Sequence, residues 1–173
     1  MTKLLIGVLT VGLLTSQGIA AQPVHRSAER GGGSKRVAIQ GVWRTVEVTI
    51  TGPAARTISQ IQPNLTILTA RHYSRINIDA EAPRPIVADV TKASADELRA
   101  VWGPFVGEAG TYEVTGHLIT MRPIAAKNPA VMGPGVFITY SYKLDGDTIW
   151  VTQQRNEHGP FANPVTIKAV RIE

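Results

Sequence analysis

The sequence predicts an all-β domain, an up-and-down antiparallel β-barrel of about eight strands with one short amphipathic helix. Three observations carry this prediction. From Gly41 onward, short segments alternate apolar and polar residues with the period of two that a half-buried strand requires. Gly, Pro and Asp-Gly punctuation separates these segments at hairpin spacing. One stretch, residues 94–105, changes to the 3.6-residue period of a helix. An antiparallel sheet of this size removes its exposed edges by closing on itself, and a two-sheet sandwich is the alternative.

The first strand is expected in "WRTVEVTITGP", where Val46, Val48 and Ile50 alternate with Thr45, Glu47 and Thr49 before Gly52-Pro53 ends the run. "NLTILTARHYSRINID" reads as two strands turning near Ala70-Arg71. In "TKASADELRAVWGPF", Leu98, Val101, Trp102 and Phe105 share a helical face, Ser94 and Glu97 have capping-box spacing, and Gly103-Pro104 stops the helix. This helix is expected to lie against the sheet or to plug one end of the barrel.

"GTYEVTGHLITMRP" is a hairpin. A two-residue turn at Gly116-His117 puts Tyr112, Val114, Ile119 and Met121 on one apolar face, whereas a turn one residue earlier mixes the faces. In "VFITYSYKLDGDTIWVTQQR", Asp145-Gly146 predicts a type I′ turn. That register pairs Tyr142 with Ile149 and Tyr140 with Val151. It directs Val136, Ile138, Tyr140, Tyr142, Ile149, Val151, Gln153 and Arg155 inward. The last strand, "PVTIKAVRIE", puts Val165, Ile167, Ala169 and Arg171 on one side. The proline-bearing "RPIAAKNPAVMGPG" is expected to cover one mouth as a stiff loop.

Residues 1–21 are expected to be a secretory signal peptide, with Lys3 before the apolar run Leu4 to Leu14 and small residues around Ala20-Ala21 suited to cleavage. An uncleaved anchor is the alternative. Residues 22–38 form a basic, Gly-rich leader, and 39–173 the barrel domain. Part of the net charge of +5 sits in "HRSAERGGGSKR", which is expected to be solvated and at most to touch anionic surfaces weakly. Export implies a periplasmic or secreted protein without stable membrane insertion. The chain has no cysteine, so it forgoes disulfides, thiol nucleophiles and thiolate metal sites. A nucleic-acid partner has no supporting pattern of basic and aromatic residues.

"IQGVWRTVEVTI" at one end, Arg171 at the other, and "LTILTARHYSRI", "GTYEVTGHLITMRPIAAKNPAVMGPG" and "YKLDGDTIWVT" between them resemble the bacterial lipocalin-like proteins of the calycin group. The resemblance spans roughly Gly41 to Glu173. It implies a barrel opened by Gly41 and Trp43 and closed by Arg171 packing over the Trp43 indole, with a habit of holding small, often apolar molecules. Alternation agrees in turning Arg171 inward, where an indole face suits a cation. Plain alternation puts Trp43 opposite Val46, Val48 and Ile50, so an inward Trp43 requires a bulge in the first strand.

Chemistry-bearing clusters are sparse. His25, His72, His117 and His158 have no metal-ligand spacing, and no metal or cofactor is expected. No catalytic residue is assigned: there is no nucleophile elbow, and no pattern gathers Asp79, Glu108 and Glu113. The candidate ligand-binding residues are Tyr112, Met121, Tyr140, Tyr142, Gln153 and Arg155 on the apolar faces, with His72 and Tyr73 at the rim. An oily cavity with few polar groups is the usual makeup of a small-molecule pocket. The sequence therefore leads to a small apolar molecule as partner. The alternatives are a cofactor-independent isomerase, cyclase or hydratase using the same cavity, and an envelope interaction protein whose barrel is filled.

Overall fold

The computed structural model describes residues 38–173. The expected signal peptide and all but the last residue of the expected leader lie outside the described residues. The elements are β1 (Gly41–Ile50), β2 (Arg56–Ile58), β3 (Asn64–Leu68), β4 (His72–Ile78), α1 (Ala95–Trp102), β5 (Phe105–Thr115), β6 (Leu118–Ala126), β7 (Ile138–Asp145), β8 (Thr148–Asn156), β9 (Gly159–Pro160) and β10 (Val165–Arg171). Each of β1, β3, β4, β5, β6, β7, β8 and β10 pairs antiparallel with the next, and β10 pairs with both β8 and β1. The result is a closed eight-stranded up-and-down barrel, with β2 and β9 as short additions at its rim.

The β5–β6 hairpin has the expected register, with Thr115 opposite Leu118 and Tyr112 opposite Met121 across the Gly116-His117 turn. The β7–β8 hairpin corrects its expectation. Its turn is Gly146-Asp147, so Tyr142 pairs with Val151 and Tyr140 with Gln153. A type I′ turn at Asp145-Gly146 would need positive φ at Asp145. Here Gly146 takes φ 54° and no non-glycine residue has a positive φ, the arrangement of a type II′ turn with glycine first. The two-residue change keeps the facing of Tyr140, Ile149, Val151 and Gln153. Beyond Gln153 the register shifts again, leaving Gln154 without a partner, and Arg155 falls outside.

β1 carries the bulge that an inward Trp43 needs. Thr45 pairs with Ala169 and Glu47 with Lys168, leaving Val46 as the extra residue. Trp43 and Thr45 before the bulge, and Val48 and Ile50 after it, therefore all face the interior. On its other edge β1 pairs with β3 only through Gly41 to Trp43, and with β2 from Val48 to Ile50. The Asn64 side chain bridges the gap, accepting from Thr45 N (2.7 Å) and donating to Thr45 O (3.2 Å) and Gln62 O (2.9 Å).

One end of the barrel is packed shut. Ile39, Trp43, Leu68, Tyr73, Tyr112, Ile119, Met121, Tyr140, Ile149 and Ala169 form the buried core. Trp43 is 2% exposed and donates its indole N–H to Ile39 O at 2.9 Å. Arg171, opposite Trp43 in the register, lays its guanidinium 4.2 Å above the ring centroid. The same guanidinium donates to Gln40 O and Ala38 O. Gly41, at φ 145°, has no room for a side chain, because a Cβ would press on the Glu173 carbonyl.

α1 has the expected capping box, with Ser94 accepting from Glu97 N and Glu97 accepting from Ser94 N. It is not a plug. None of its residues is buried or lines the barrel interior. Its C-terminal end instead faces the outer side of β3 and β4 across a groove lined by Leu65, Ile76, Ile86, Val101 and Phe105. Trp102 is half exposed and meets Phe105 edge-on, with ring centroids 5.8 Å apart.

Candidate functional site

The half of the barrel away from Trp43 is hollow. A cavity of about 650 Å³ runs from the Trp43 floor to a mouth between β1, β2 and the residues after β4. Trp43 is thus both the closure of one end and the floor of the hollow. The mouth exists because β1 leaves β3 after Trp43 and pairs with β2 instead. Residues Ile58 to Gln62, leaving β2, pass along the opening with Ala80 and Glu81 on the other side. Arg56 Nη2 lies 3.2 Å from Glu81 Oε1, and Gln62 Nε2 donates to Glu81 O at 3.4 Å, tying the two rims together.

The walls differ in chemistry. β1, β8 and β10 contribute aliphatic groups, among them Val48, Ile50, Val151, Val165 and Ile167. β3 and β4 contribute Asn64, Thr66, Arg75 and Asn77. The β3–β4 hairpin is inverted relative to a simple oily interior. Its apolar Leu65, Ile67 and Ile76 point outward and are exposed, while Asn64, Thr66, Arg75 and Asn77 line the hollow together with Leu68 and Ile78.

Arg75 anchors the polar wall. It pairs in register with Glu108 of β5, and its Nε lies 3.1 Å from Glu108 Oε1. That approach is a charge contact off the hydrogen-bond direction, so Nε itself has no hydrogen-bond partner among the described residues. Arg75 Nη1 reaches across the barrel toward Tyr140 OH at 3.4 Å. Tyr73 donates its hydroxyl to Glu108 Oε1 at 2.9 Å. Burial opposes charge on Arg75, but the oxygens of Tyr140 and Glu108 outweigh it and raise the pKa, so Arg75 remains a cation. Burial, then the Glu108 charge and the bond to it, push the Tyr73 hydroxyl far above its usual value.

Of the sequence candidates, Met121, Tyr140 and Gln153 line the cavity. Gln153 Oε1 accepts from Val165 N at 3.1 Å, and its amide N–H groups have no partner among the described residues. Tyr112 and Tyr73 are buried but belong to the packed layer around it: Tyr112 donates to Thr69 O and Tyr73 to Glu108. Tyr142 donates to Gly116 O at the closed end, and His72 is exposed. Arg155 is exposed and stacks over Phe137, with its guanidinium carbon 5.5 Å from the ring centroid, because the register shift at Gln154 turns it outward. The loop with Pro123, Pro129 and Pro134 lines no part of the cavity. Of the three carboxylates, Glu108 lies beneath the polar wall, Asp79 is at the mouth, and Glu113 faces Arg122 outside.

Arg75, Asn77 and Thr66 were missed by sequence reasoning. In "YSRINI" hydrophobicity alone sends Ile76 inward and Arg75 outward, and the chain does the reverse. The available signal was the cross-strand pairing of a basic and an acidic residue, Arg75 with Glu108, on a face that also carries Tyr73.

Among the described residues no three His, Asp or Glu side chains gather as metal ligands. No helix among them is long and apolar enough to cross a membrane. No protein-family model matches the chain, and no curated protein matches it. A solved structure of an uncharacterized protein from Bacteroides eggerthii is similar at a TM-score of 0.40 and 8% identity, covering 76% of this chain and 98% of that one.

Proposed function

We propose that this domain is an exported, lipocalin-like binding protein that holds a small, largely apolar molecule in the hollow half of its barrel. The observation that carries the reading is the cavity of about 650 Å³ whose β1, β8 and β10 side is lined mainly by aliphatic residues. Such a volume falls in the range of small-molecule sites. The stacking of Arg171 on Trp43 supports the resemblance to lipocalin-like proteins. A filled barrel used only as an interaction surface does not fit this hollow. An acid–base enzyme fits less well than a binding protein, because the deep carboxylate Glu108 is already engaged by Tyr73 and Arg75.

At the liquid volume of water the cavity corresponds to about 20 molecules. A ligand of about 20 heavy atoms, at about −0.3 kcal/mol per atom, would bind with about −6 kcal/mol, or a Kd of tens of micromolar. The test is titration with a neutral naphthylamine dye, against the wild type and Val151→Trp. Val151 faces the hollow from β8, so the indole would take up part of the cavity volume. Saturable one-to-one binding that weakens at least about tenfold in the variant, with the melting temperature changed little, is expected. No saturable binding to the wild type would end the reading. Equal binding to both proteins would place the dye outside the barrel and end it as well.

A further inference from the structure

The proposed binding reading does not say what kind of head group an amphipathic ligand would carry, and the polar wall restricts it. The cavity is bordered by two arginines, Arg56 and Arg75, and by two carboxylates, Asp79 and Glu81. A third carboxylate, Glu108, lies against Arg75 at 3.1 Å with its side chain 9% exposed. The cation deepest in the cavity is therefore already neutralised, and the remaining charges at the mouth favour no anion. A carboxylate ligand would give up its hydration to reach a place where another carboxylate already sits.

Several hydrogen-bond donors on the inner wall, by contrast, have no partner among the described residues. Tyr140 OH accepts from Arg75, so its own hydrogen is free to point into the hollow. Gln153 uses its carbonyl oxygen on Val165 N, and its N–H groups make no bond among the described residues. The same holds for the Asn77 amide and for the Nη2 group of Arg75, both on the cavity wall. Tyr140 and Gln153 are directly opposite each other in the β7–β8 register, and Arg75 reaches Tyr140 from the far wall. Arg75 is joined through Thr66 to Trp43 at the floor by strand register, Tyr140 belongs to the same buried core as Trp43, and Gln153 stands level with Val165, nearer the mouth.

Resting on the cavity reading, we propose that the ligand is an uncharged amphiphile whose head is a hydrogen-bond acceptor, a ketone or ester carbonyl. The head is bound at Arg75, Tyr140 and Gln153, and the alkyl tail runs along the aliphatic wall toward the mouth. Glu108 is a positioning and selectivity residue: it orients Arg75 and holds the place an anionic head would otherwise take.

The experiment is competition for the neutral dye by a fatty acid, the methyl ketone and the alkane of equal chain length, at neutral pH. With the wild type the ketone should compete about tenfold better than either of the others, the value of about one desolvated hydrogen bond. Glu108→Gln removes the internal anion and should invert the order in favour of the fatty acid, by at least about tenfold in the acid-to-ketone ratio. Arg75→Met removes a head-group donor and should bring the ketone-to-alkane competition ratio close to one, a ratio in which any change in dye affinity cancels. It serves as the check if Glu108→Gln does not fold. A wild type that prefers the fatty acid, or a Glu108→Gln protein with an unchanged ratio, overturns the assignment of the head group. Dye binding with no discrimination among the three competitors overturns this inference alone. Absence of dye binding removes the cavity reading, and this inference with it.

Discussion

Arg171→Ala tests the closed end of the barrel most directly. The wild-type guanidinium lies 4.2 Å above the Trp43 ring and donates to the carbonyls of Gln40 and Ala38, the latter at 2.7 Å. It also approaches Asp147 Oδ1 at 3.2 Å, but Asp147 is 82% exposed and that pair contributes little. A cation over an indole contributes about 1 kcal/mol, and each hydrogen bond to a backbone carbonyl about 1 kcal/mol net. The loss is therefore about 3 kcal/mol. At about 3 °C per kcal/mol for a domain of this size, the melting temperature should fall by about 10 °C. Thermal unfolding followed by circular dichroism reads the shift, and the emission of Trp43, buried in the wild type, should move to the red. Arg171→Lys keeps the charge without the planar fork and should lose about half as much. A melting temperature within about 2 °C of wild type for Arg171→Ala would refute the assignment of the closure to this side chain.

Two further outcomes follow from the same interior. Asn64→Ala removes the acceptor for Thr45 N and the donors to Thr45 O and Gln62 O at the gap between β1 and β3, and should cost about 2–4 kcal/mol in urea unfolding. A cost below about 0.5 kcal/mol would mean that water patches the gap as well as the amide does. Tyr73 sets an alkaline limit. Its native pKa is raised above 10.0, so the folded state holds the phenolic proton more tightly than the unfolded chain does. Its contribution is complete below about pH 10 and is lost as pH climbs from there toward the raised native value, at up to about 1.4 kcal/mol per pH unit. Tyr112 is raised as well, by burial, and adds in the same direction. Tyr73→Phe should flatten the decline by about half while weakening the protein at neutral pH. A decline of unchanged slope in the variant would exclude Tyr73 as its source.

The parts of the fold legible in sequence are those where one local signal decides the geometry. At Gly116-His117 only one turn position keeps Tyr112, Val114, Ile119 and Met121 together, so the register followed from hydrophobicity. The Trp43–Arg171 pair was legible only through the resemblance to lipocalin-like proteins, to which alternation added the inward facing of Arg171; the two residues are opposite each other in the register. The β7–β8 turn failed by one residue, because an Asp-Gly dipeptide signals glycine at the second central position and the chain uses Gly146 at the first. Arg155 failed for a different reason. A single unpaired residue, Gln154, reverses the facing of everything beyond it, and no residue type announces it.

The inversion of the β3–β4 hairpin is the feature that hydrophobic alternation is least able to reveal, and it is also the one that shapes the site. A barrel built for stability alone would turn Leu65, Ile67 and Ile76 inward and leave Arg75 and Asn77 in water. This one exposes the three aliphatic side chains and surrounds Arg75 with Glu108 and Tyr140, and Glu108 with Tyr73. Burying an ion pair gains little over burying aliphatic groups of similar volume, so the arrangement is not explained by stability. Under the proposed binding function, the need for fixed donors on one cavity wall would account for it. Glu108 holds Arg75 from beneath, and the strands of the ion pair are themselves joined in register, so the donors are in place before any ligand arrives. In the proposed binding mode that preorganisation would lower the ordering cost of binding and tie selectivity to Glu108, a residue behind the donors.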